Sequence, residues 1–482
     1  MDAPIIVHPP AANQAAPANP GRAARWLAAI LVLALALRLI LFLSLVRTPQ
    51  AFLQSDAGSY DQLAANLVSR GVFSESDRPP YTLDAFRTPL YPLFLAGIYW
   101  MAGRSYAAVV VVQCLISLAT VYLVYRLGHV VSGVTAGLAA ALIAACDVGQ
   151  IIHANLLLTE TLYTFLLVAA LLPLWWLVSG GRLRLAVIVG LLLGLGTLCR
   201  PVAIYLPIAL AALVALALRA SLRRRAAAAG LLLLAYSLTL APWLARNWLT
   251  FDTPALTSIQ GYNLLFFNAG YLRAQLEHKT LEEADAELQT EVQPALAAAG
   301  DNPFRQEAVY QSYGLSLIRQ HPLLYARLHA QGAVLMLVLP NTNFLANMLG
   351  ILTTSTGLIA DLRTRGLLEN IRALGQFYRD YLSRSPQLPL FLAALVLELA
   401  GLVVAYLLDL AGTWAWLRAR RWAALGLLLV PMAYFVAVTG PVGYGRYRIP
   451  IMPLLAVLAG VGAAALRQRW SSRAARSWAA AP

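Results

Sequence analysis

Apolar runs of about twenty residues, the length that crosses a hydrocarbon core, recur from Trp26 to Leu466 with short polar breaks between them. They read as helices, because no long stretch alternates apolar with polar positions and a backbone in lipid must satisfy its polar groups within its own segment. The runs fall at Trp26 to Val46, Tyr106 to Gly128, Gly133 to Ile152, Leu156 to Val178, Leu183 to Cys199, Val202 to Leu218 and Ala226 to Arg246. Three more follow at Pro389 to Asp409, Trp422 to Gly440 and Ile449 to Leu466. The pattern predicts an all-α polytopic membrane protein with about ten transmembrane helices. Two longer segments are left over. In the first, 47–105, the patch from Leu90 to Met101 is interrupted by Pro92 and reads as an interfacial helix. In the second, 247–387, an acidic helix runs from Leu272 to Leu296, and Asp301 or Asn302 with Pro303 starts another. Ala333 to Leu352 stays outside the membrane or re-enters it.

Composition agrees: 60% hydrophobic and 12% charged residues in a chain of 482 exclude a soluble globule. The formal charge of +14 is not a nucleic-acid signature, because the arginines stand at the ends of the apolar runs. Arg182, Arg184, Arg219, Arg223 to Arg225, Arg418, Arg420, Arg421, Arg467 and Arg469 fall on one side, which the positive-inside rule makes cytoplasmic. Asp61, Glu75, Asp77, Asp84 and the acidic residues from Asp252 to Glu307 fall on the other. The expected organisation is a disordered cytoplasmic tail at 1–25 and an N-terminal transmembrane module at 26–246 that contains the first external loop. An external segment with interfacial or re-entrant helices follows at 247–387, then C-terminal helices at 388–466 and a basic cytoplasmic tail at 467–482. The plasma (inner) membrane is the expected location, with both termini inside. Cys114, Cys146 and Cys199 lie within apolar runs without CxxC spacing and imply neither disulfide nor zinc. There is no Walker loop, no GxGxxG after a strand and no HExxH pair.

Polar residues placed where the spans meet the external face carry the candidate chemistry. Asp56, in Ser55-Asp-Ala-Gly-Ser-Tyr60, follows the first span almost at once. It reads either as a solvated helix cap or as a general base. Glu160 sits at the outer end of a span, where an ionisable group is costly and functional by default. Arg87, Arg200, Arg246, Arg446 and Arg448 lie at the same boundary, with guanidinium forks suited to a phosphate or to snorkelling among headgroups. His153 with Asp56 and Glu160 offers nitrogen and oxygen ligands for a divalent metal, although no spacing demands one. No role suggests itself for Arg38, Glu398 or Asp409.

Taken together, Asp56-Ala-Gly-Ser-Tyr60, Arg87-Thr-Pro-Leu-Tyr-Pro92, Thr159-Glu160-Thr-Leu, Arg200-Pro201, Pro242-Trp-Leu-Ala-Arg246-Asn-Trp248, Gly261-Tyr-Asn263-Leu and Arg446-Tyr-Arg448-Ile-Pro450 resemble the GT-C glycosyltransferases. The likeness is to the bacterial branch related to protein O-mannosyltransferases and lipid A aminoarabinose transferases, and it extends from the first span to the last. It implies a GT-C fold, a catalytic aspartate at Asp56, a second acidic residue at Glu160 and a sugar donor linked to polyprenyl phosphate. Arg87, Arg200, Arg446 and Arg448 would hold the donor phosphate, and Tyr60, Tyr91, Asn263 and Arg246 would contact substrate. The partners would be the lipid-linked donor, membrane lipid and an external acceptor. Two points depart from the aminoarabinose transferases: Ser59 stands where they have a phosphate-contacting Arg, and Arg87-Thr88 replaces their Glu-Lys. Two other readings share the lipid-linked substrate. A transporter or flippase would line the whole bilayer thickness with polar residues, and a polysaccharide polymerase or ligase would dispense with Asp56.

Overall fold

The computed structural model describes residues 20–350, 372 and 388–479. Most of the expected N-terminal tail, the end of the 247–387 segment including Leu352, and the last three residues therefore lie outside the described residues. Every regular element among the described residues is a helix. The first half contains α1 (Pro20–Leu45), α2 (Ala57–Arg70), α3 (Leu90–Ala102), α4 (Tyr106–Ser132), α5 (Val134–Cys146), α6 (Val148–Ala154), α7 (Glu160–Val178), α8 (Arg184–Cys199), α9 (Leu206–Ala217) and α10 (Leu222–Phe251). Then come α11 (Ile259–Tyr262), a π-helical stretch Asn263–Ala269, α12 (Gly270–Glu277), α13 (Leu281–Ala299), α14 (Pro303–Gln320), α15 (Pro322–Val338) and α16 (Thr342–Met348). The chain closes with α17 (Leu388–Arg418), α18 (Trp422–Val438) and α19 (Met452–Ala479).

Among the described residues, six helices are long and apolar enough to cross a membrane: α1, α4, α7, α10, α17, and α19 with the 3₁₀ turn that leads into it. Two bent pairs, α5 with α6 at 57° and α15 with α16 at 66°, raise the total to eight if each is one span. All ten runs expected from the sequence fall on helices. However, α8, α9 and α18, with 16, 12 and 17 residues, are shorter than the ~20 residues of a typical crossing. The protein is a multi-pass membrane protein. Hydropathy also hid the break at Asp147, where α5 ends. There Asp147 caps α6 by accepting the Gln150 N–H at 2.7 Å. Arg38 of α1 takes the Ala145 carbonyl that the break frees. The final helix continues to Ala479 instead of ending at Leu466.

Small residues bring the central helices together. The span leading through α19 is the most enclosed, with 83% of its apolar window buried against 22% for α17, so α19 is the axis and α17 faces lipid. A Cβ on Gly462 would lie 2.0 Å from the Leu408 carbonyl oxygen of α17, and one on Gly460 would lie 2.3 Å from the Ala136 carbonyl oxygen of α5. Backbone contact this close requires glycine on the facing surface. Gly462→Ala is therefore expected to destabilise the detergent-purified protein by roughly 1–3 kcal/mol. Gly401→Ala, on an open stretch of the same α17, should leave thermal unfolding unchanged. Equal melting of the two variants would contradict this packing.

The segment after α10 forms a small helical layer of its own. Leu265, Phe266, Ala269, Leu288 and Val292 make its core. Asn302 caps α14 through the Phe304 and Arg305 N–H groups, with Pro303 in the first turn, as the sequence predicts. The expected single helix from Leu272 to Leu296 is instead interrupted, and Thr280 and Glu283 form a capping box at the restart. This layer sits on the first loop: Thr257 Oγ1 donates to the Phe86 carbonyl, Ser258 N–H donates to the Ala85 carbonyl at 2.9 Å, and the Tyr262 ring meets Phe86 edge-on.

Candidate active site

Helix ends converge at one end of the bundle. The chain leaves α1, turns through Ser55 at a left-handed φ of 54° and enters α2 at Asp56. Asp56 occupies the capping position but its carboxylate makes no cap bond. Instead Oδ1 accepts from Arg87 Nη2 at 3.0 Å and Oδ2 accepts from Arg446 Nη1 at 2.9 Å. About a third of the side chain remains exposed, at 33%. Burial pushes the Asp56 carboxyl up, but Arg446 and Arg87 outweigh it and hold it below the ordinary carboxylate range.

Arg446 links the two acids. Its Nη1 also donates to Ser55 Oγ at 2.9 Å, and its Nε donates to Glu160 Oε1. The same Glu160 oxygen receives Arg200 Nη1 at 2.5 Å, while Arg200 also donates to Thr159 Oγ1 at 3.0 Å. Glu160 is fully buried at the first residue of α7, where the helix dipole favours a negative charge. Arg200 ends α8 in an extended conformation, and Pro201 prevents that helix from continuing. Two like charges brought this close repel, so the one carboxylate oxygen between them is what holds Arg200 and Arg446 together.

Arg87 forms the outer rim. Its Nε donates to Ser59 Oγ at 3.0 Å, and its guanidinium lies 5.0 Å from the centre of the Tyr60 ring and 5.1 Å from that of Phe86. Ser59 Oγ also bonds the exposed Glu75 carboxylate. Burial pushes Asp84 up to about 6, although its Oδ2 accepts the Arg87 backbone N–H at 2.9 Å. A folded value above the unfolded one means that native stability falls as pH rises from about 4 through 6. Asp84→Asn keeps an acceptor and removes the charge. It should be more stable than the parent by roughly 1–2 kcal/mol at pH 7, with the difference closing below about pH 4. Unfolding curves at the two pH values test this.

The remaining sequence candidates fall in three places. Tyr60 is buried under Arg87, and its ring meets Tyr91 edge-on at 5.1 Å. Tyr91 is wholly buried and donates to Gln113 Oε1, so it supports the site from below. Arg246 is enclosed by Trp243, Phe251 and Phe73 and donates to the Asp84 carbonyl at 2.8 Å, tying α10 to the first loop. Asn263 begins the π-helical stretch next to Tyr262, beside the rim at Phe86. Arg448 is not gathered with Arg446. Its Nη1 closes the end of α15 by donating to the Met336, Leu337 and Leu339 carbonyls, and its Nη2 lies 3.5 Å from Glu398. Glu398 in turn caps α16 by accepting from the Asn341 and Thr342 N–H groups.

The trio Asp56, His153 and Glu160 does not form a metal site. Arg446 stands between the two carboxylates and bonds both of them. Among the described residues no three His, Cys, Asp or Glu side chains come together to hold an ion. Sequence reasoning missed Ser55, Ser59, Thr159 and Glu75. The first three belong to motifs already singled out, and the hydroxyl beside each acid was the available signal.

Comparison with known proteins finds a likeness for part of the chain and for its fold. Residues 86–246 match the model of the dolichyl-phosphate-mannose-protein mannosyltransferase family. No curated protein sequence matches the chain. Among solved structures, the archaeal oligosaccharyltransferase AglB from Archaeoglobus fulgidus, in complex with an inhibitory peptide and a dolichol-phosphate, superposes with a TM-score of 0.52 at 15% identity, covering 95% of this chain and 52% of that one. The apo form of the Archaeoglobus fulgidus oligosaccharyltransferase gives 0.50 at 15% identity, covering 90% and 50%. ArnT from Cupriavidus metallidurans in the apo state gives 0.39 at 14% identity, covering 91% and 78%. The chain spans about half the length of the oligosaccharyltransferases it matches, and at these identities the likeness concerns the fold. The chain thus shares the fold of these membrane glycosyltransferases, and its residues 86–246 are similar to the protein mannosyltransferase family.

Proposed function

We propose that this protein is an inverting glycosyltransferase that moves a sugar from a polyprenyl-phosphate donor to a hydroxyl acceptor at the external face of the membrane. The observation that carries this reading is the cluster itself. Three guanidinium groups share two carboxylates, leaving an excess of one positive charge at a helix-end face. That is the electrostatics of an anion site placed next to a carboxylate. Both the family description and the dolichol-phosphate held by the archaeal relative support a lipid phosphate as that anion.

In the reaction, Asp56 takes the proton of the acceptor hydroxyl as its oxygen attacks the anomeric carbon of the donor sugar. The bond from that carbon to the phosphate oxygen breaks, and the phosphate leaves with the electron pair. Arg446, Arg200 and Arg87 stabilise the charge that grows on it. Glu160 is a positioning residue that holds Arg200 and Arg446 side by side. Arg448, committed to helix-end carbonyls, has no part. The opposite end of the bundle carries Arg224, bonded to the Gly181 carbonyl, and Arg421, bonded to the Val131 carbonyl. Under the positive-inside rule these arginines support a cytoplasmic assignment for that end and an external one for the site.

The test is an assay of the purified protein with a panel of radiolabelled polyprenyl-phosphate sugars, with and without a chelator. Donor turnover that survives chelation is expected. No turnover of any donor, combined with vesicle-to-vesicle movement of the lipid, would replace the enzyme with a transporter.

A further inference from the structure

The base and the phosphate site of the proposed reaction use the same hydrogen-bond donors. Arg446 Nη1 spends its two hydrogens on Ser55 Oγ and Asp56 Oδ2, and Arg87 Nη2 bonds Asp56 Oδ1. Both carboxylate oxygens are therefore occupied by cations. A general base needs a lone pair directed at the acceptor's proton. As the site stands, each of the two oxygens already accepts a hydrogen bond from a guanidinium group. The guanidinium edges not used in this lock are Arg446 Nη2, Arg200 Nε and Nη2, and Arg87 Nη1, none of which has a hydrogen-bond partner among the described residues. Unused N–H groups from three arginines around one pair of carboxylates form an incomplete anion cradle, and an entering phosphate would rotate those planes toward itself.

From this arrangement, and on the reading that the cluster binds a lipid phosphate, we infer that donor binding unlocks the base: the phosphate draws Arg446 and Arg87 away from Asp56 and frees its carboxylate to accept the acceptor's proton. The donor then has to bind before the acceptor can be activated. Without a donor, Asp56 stays neutralised and does not turn water into a nucleophile. Ser55 participates on the protein side. Its hydroxyl keeps one Arg446 Nη1 hydrogen when the carboxylate releases the other, so the guanidinium pivots without being set free. Glu160 holds the far side of Arg446 through Nε and fixes the pivot.

Competition for shared donors has a measurable sign. If Asp56 and phosphate compete for Arg446 and Arg87, Asp56→Asn removes the competitor. It should bind a short-chain polyprenyl monophosphate in detergent at least tenfold more tightly than the parent, as measured by isothermal titration or thermophoresis. Equal or weaker binding by Asp56→Asn would overturn the inference. Simple repulsion between Asp56 and phosphate would also tighten binding, so the same pair is compared in an Arg87→Gln background. Shared donors predict that the gain from Asp56→Asn shrinks there, whereas an undiminished gain would rule sharing out. Arg87 lies at the rim, so this background should fold even if Arg446 variants do not. A parent that binds no polyprenyl phosphate, with Asp56→Asn equally inert, would refute the phosphate site itself and the inference with it.

Discussion

On the proposed mechanism, Asp56→Asn is expected to lower glycosyl transfer by roughly 10²–10⁴-fold, the contribution of a positioned general base, in a protein that still folds and inserts. The amide is nearly isosteric with the carboxylate but cannot accept a proton at neutral pH. Folding is retained because the other contacts of both arginines survive. Arg446 keeps Glu160 and Ser55, and Arg87 keeps Ser59 and its place over Tyr60. The side chain is one-third exposed, so water reaches whatever the amide leaves unmatched. Initial rates with a saturating donor, read together with a size-exclusion profile and a thermal melt, separate chemistry from folding. Full activity in this variant would remove Asp56 from the mechanism and leave the cluster as a structural tie.

Glu160→Ala has the larger expected effect on stability, at roughly 3–5 kcal/mol, because removing one partner strands buried charges. Glu160 Oε1 neutralises two guanidinium groups at once, and the side chains of Arg200 and Arg446 are only 14% and 10% exposed. Without the carboxylate, two cations face each other at the top of the bundle, where little water can screen them. Glu160→Gln keeps a neutral acceptor and should fall between the parent and the alanine variant. A double-mutant cycle gives the cleaner measurement. Adding Arg200→Met to Glu160→Ala should recover part of the lost stability, since it removes one stranded charge. Additive losses would mean that the two side chains do not act on each other. Unchanged melting of Glu160→Ala would show that the cluster does not hold α7, α8 and the turn before α19 together.

The helices and their order were legible because hydropathy is local. Each span needs only its own apolar run, and the Asn302-Pro303 start of α14 needs only its own cap. Breaks were less legible. The α5 to α6 bend depends on Asp147 capping the second helix while Arg38, more than a hundred residues away in the chain at a separation of 107, takes the freed Ala145 carbonyl. An apolar run cannot reveal such a partner. The same limit applies to Glu398, whose role as a cap for α16 across a separation of 57 residues is invisible in the sequence.

At the site, the sequence by itself determined that acids and arginines lie where helices meet one boundary, because charge is too costly elsewhere along an apolar run. It also marked Asp56, Arg87, Glu160, Arg200 and Arg446 by their motifs. Only the tertiary structure decided which of them touch. Arg446 and Arg448 are two residues apart on one tight turn and look equivalent in sequence. Yet one reaches Asp56 across 390 residues and Glu160 across 286, while the other turns to the carbonyls ending α15. The reason is directional. In a 3₁₀ turn, side chains two positions apart leave in different directions, and the helices on either side determine whether each guanidinium meets a carboxylate or a helix end.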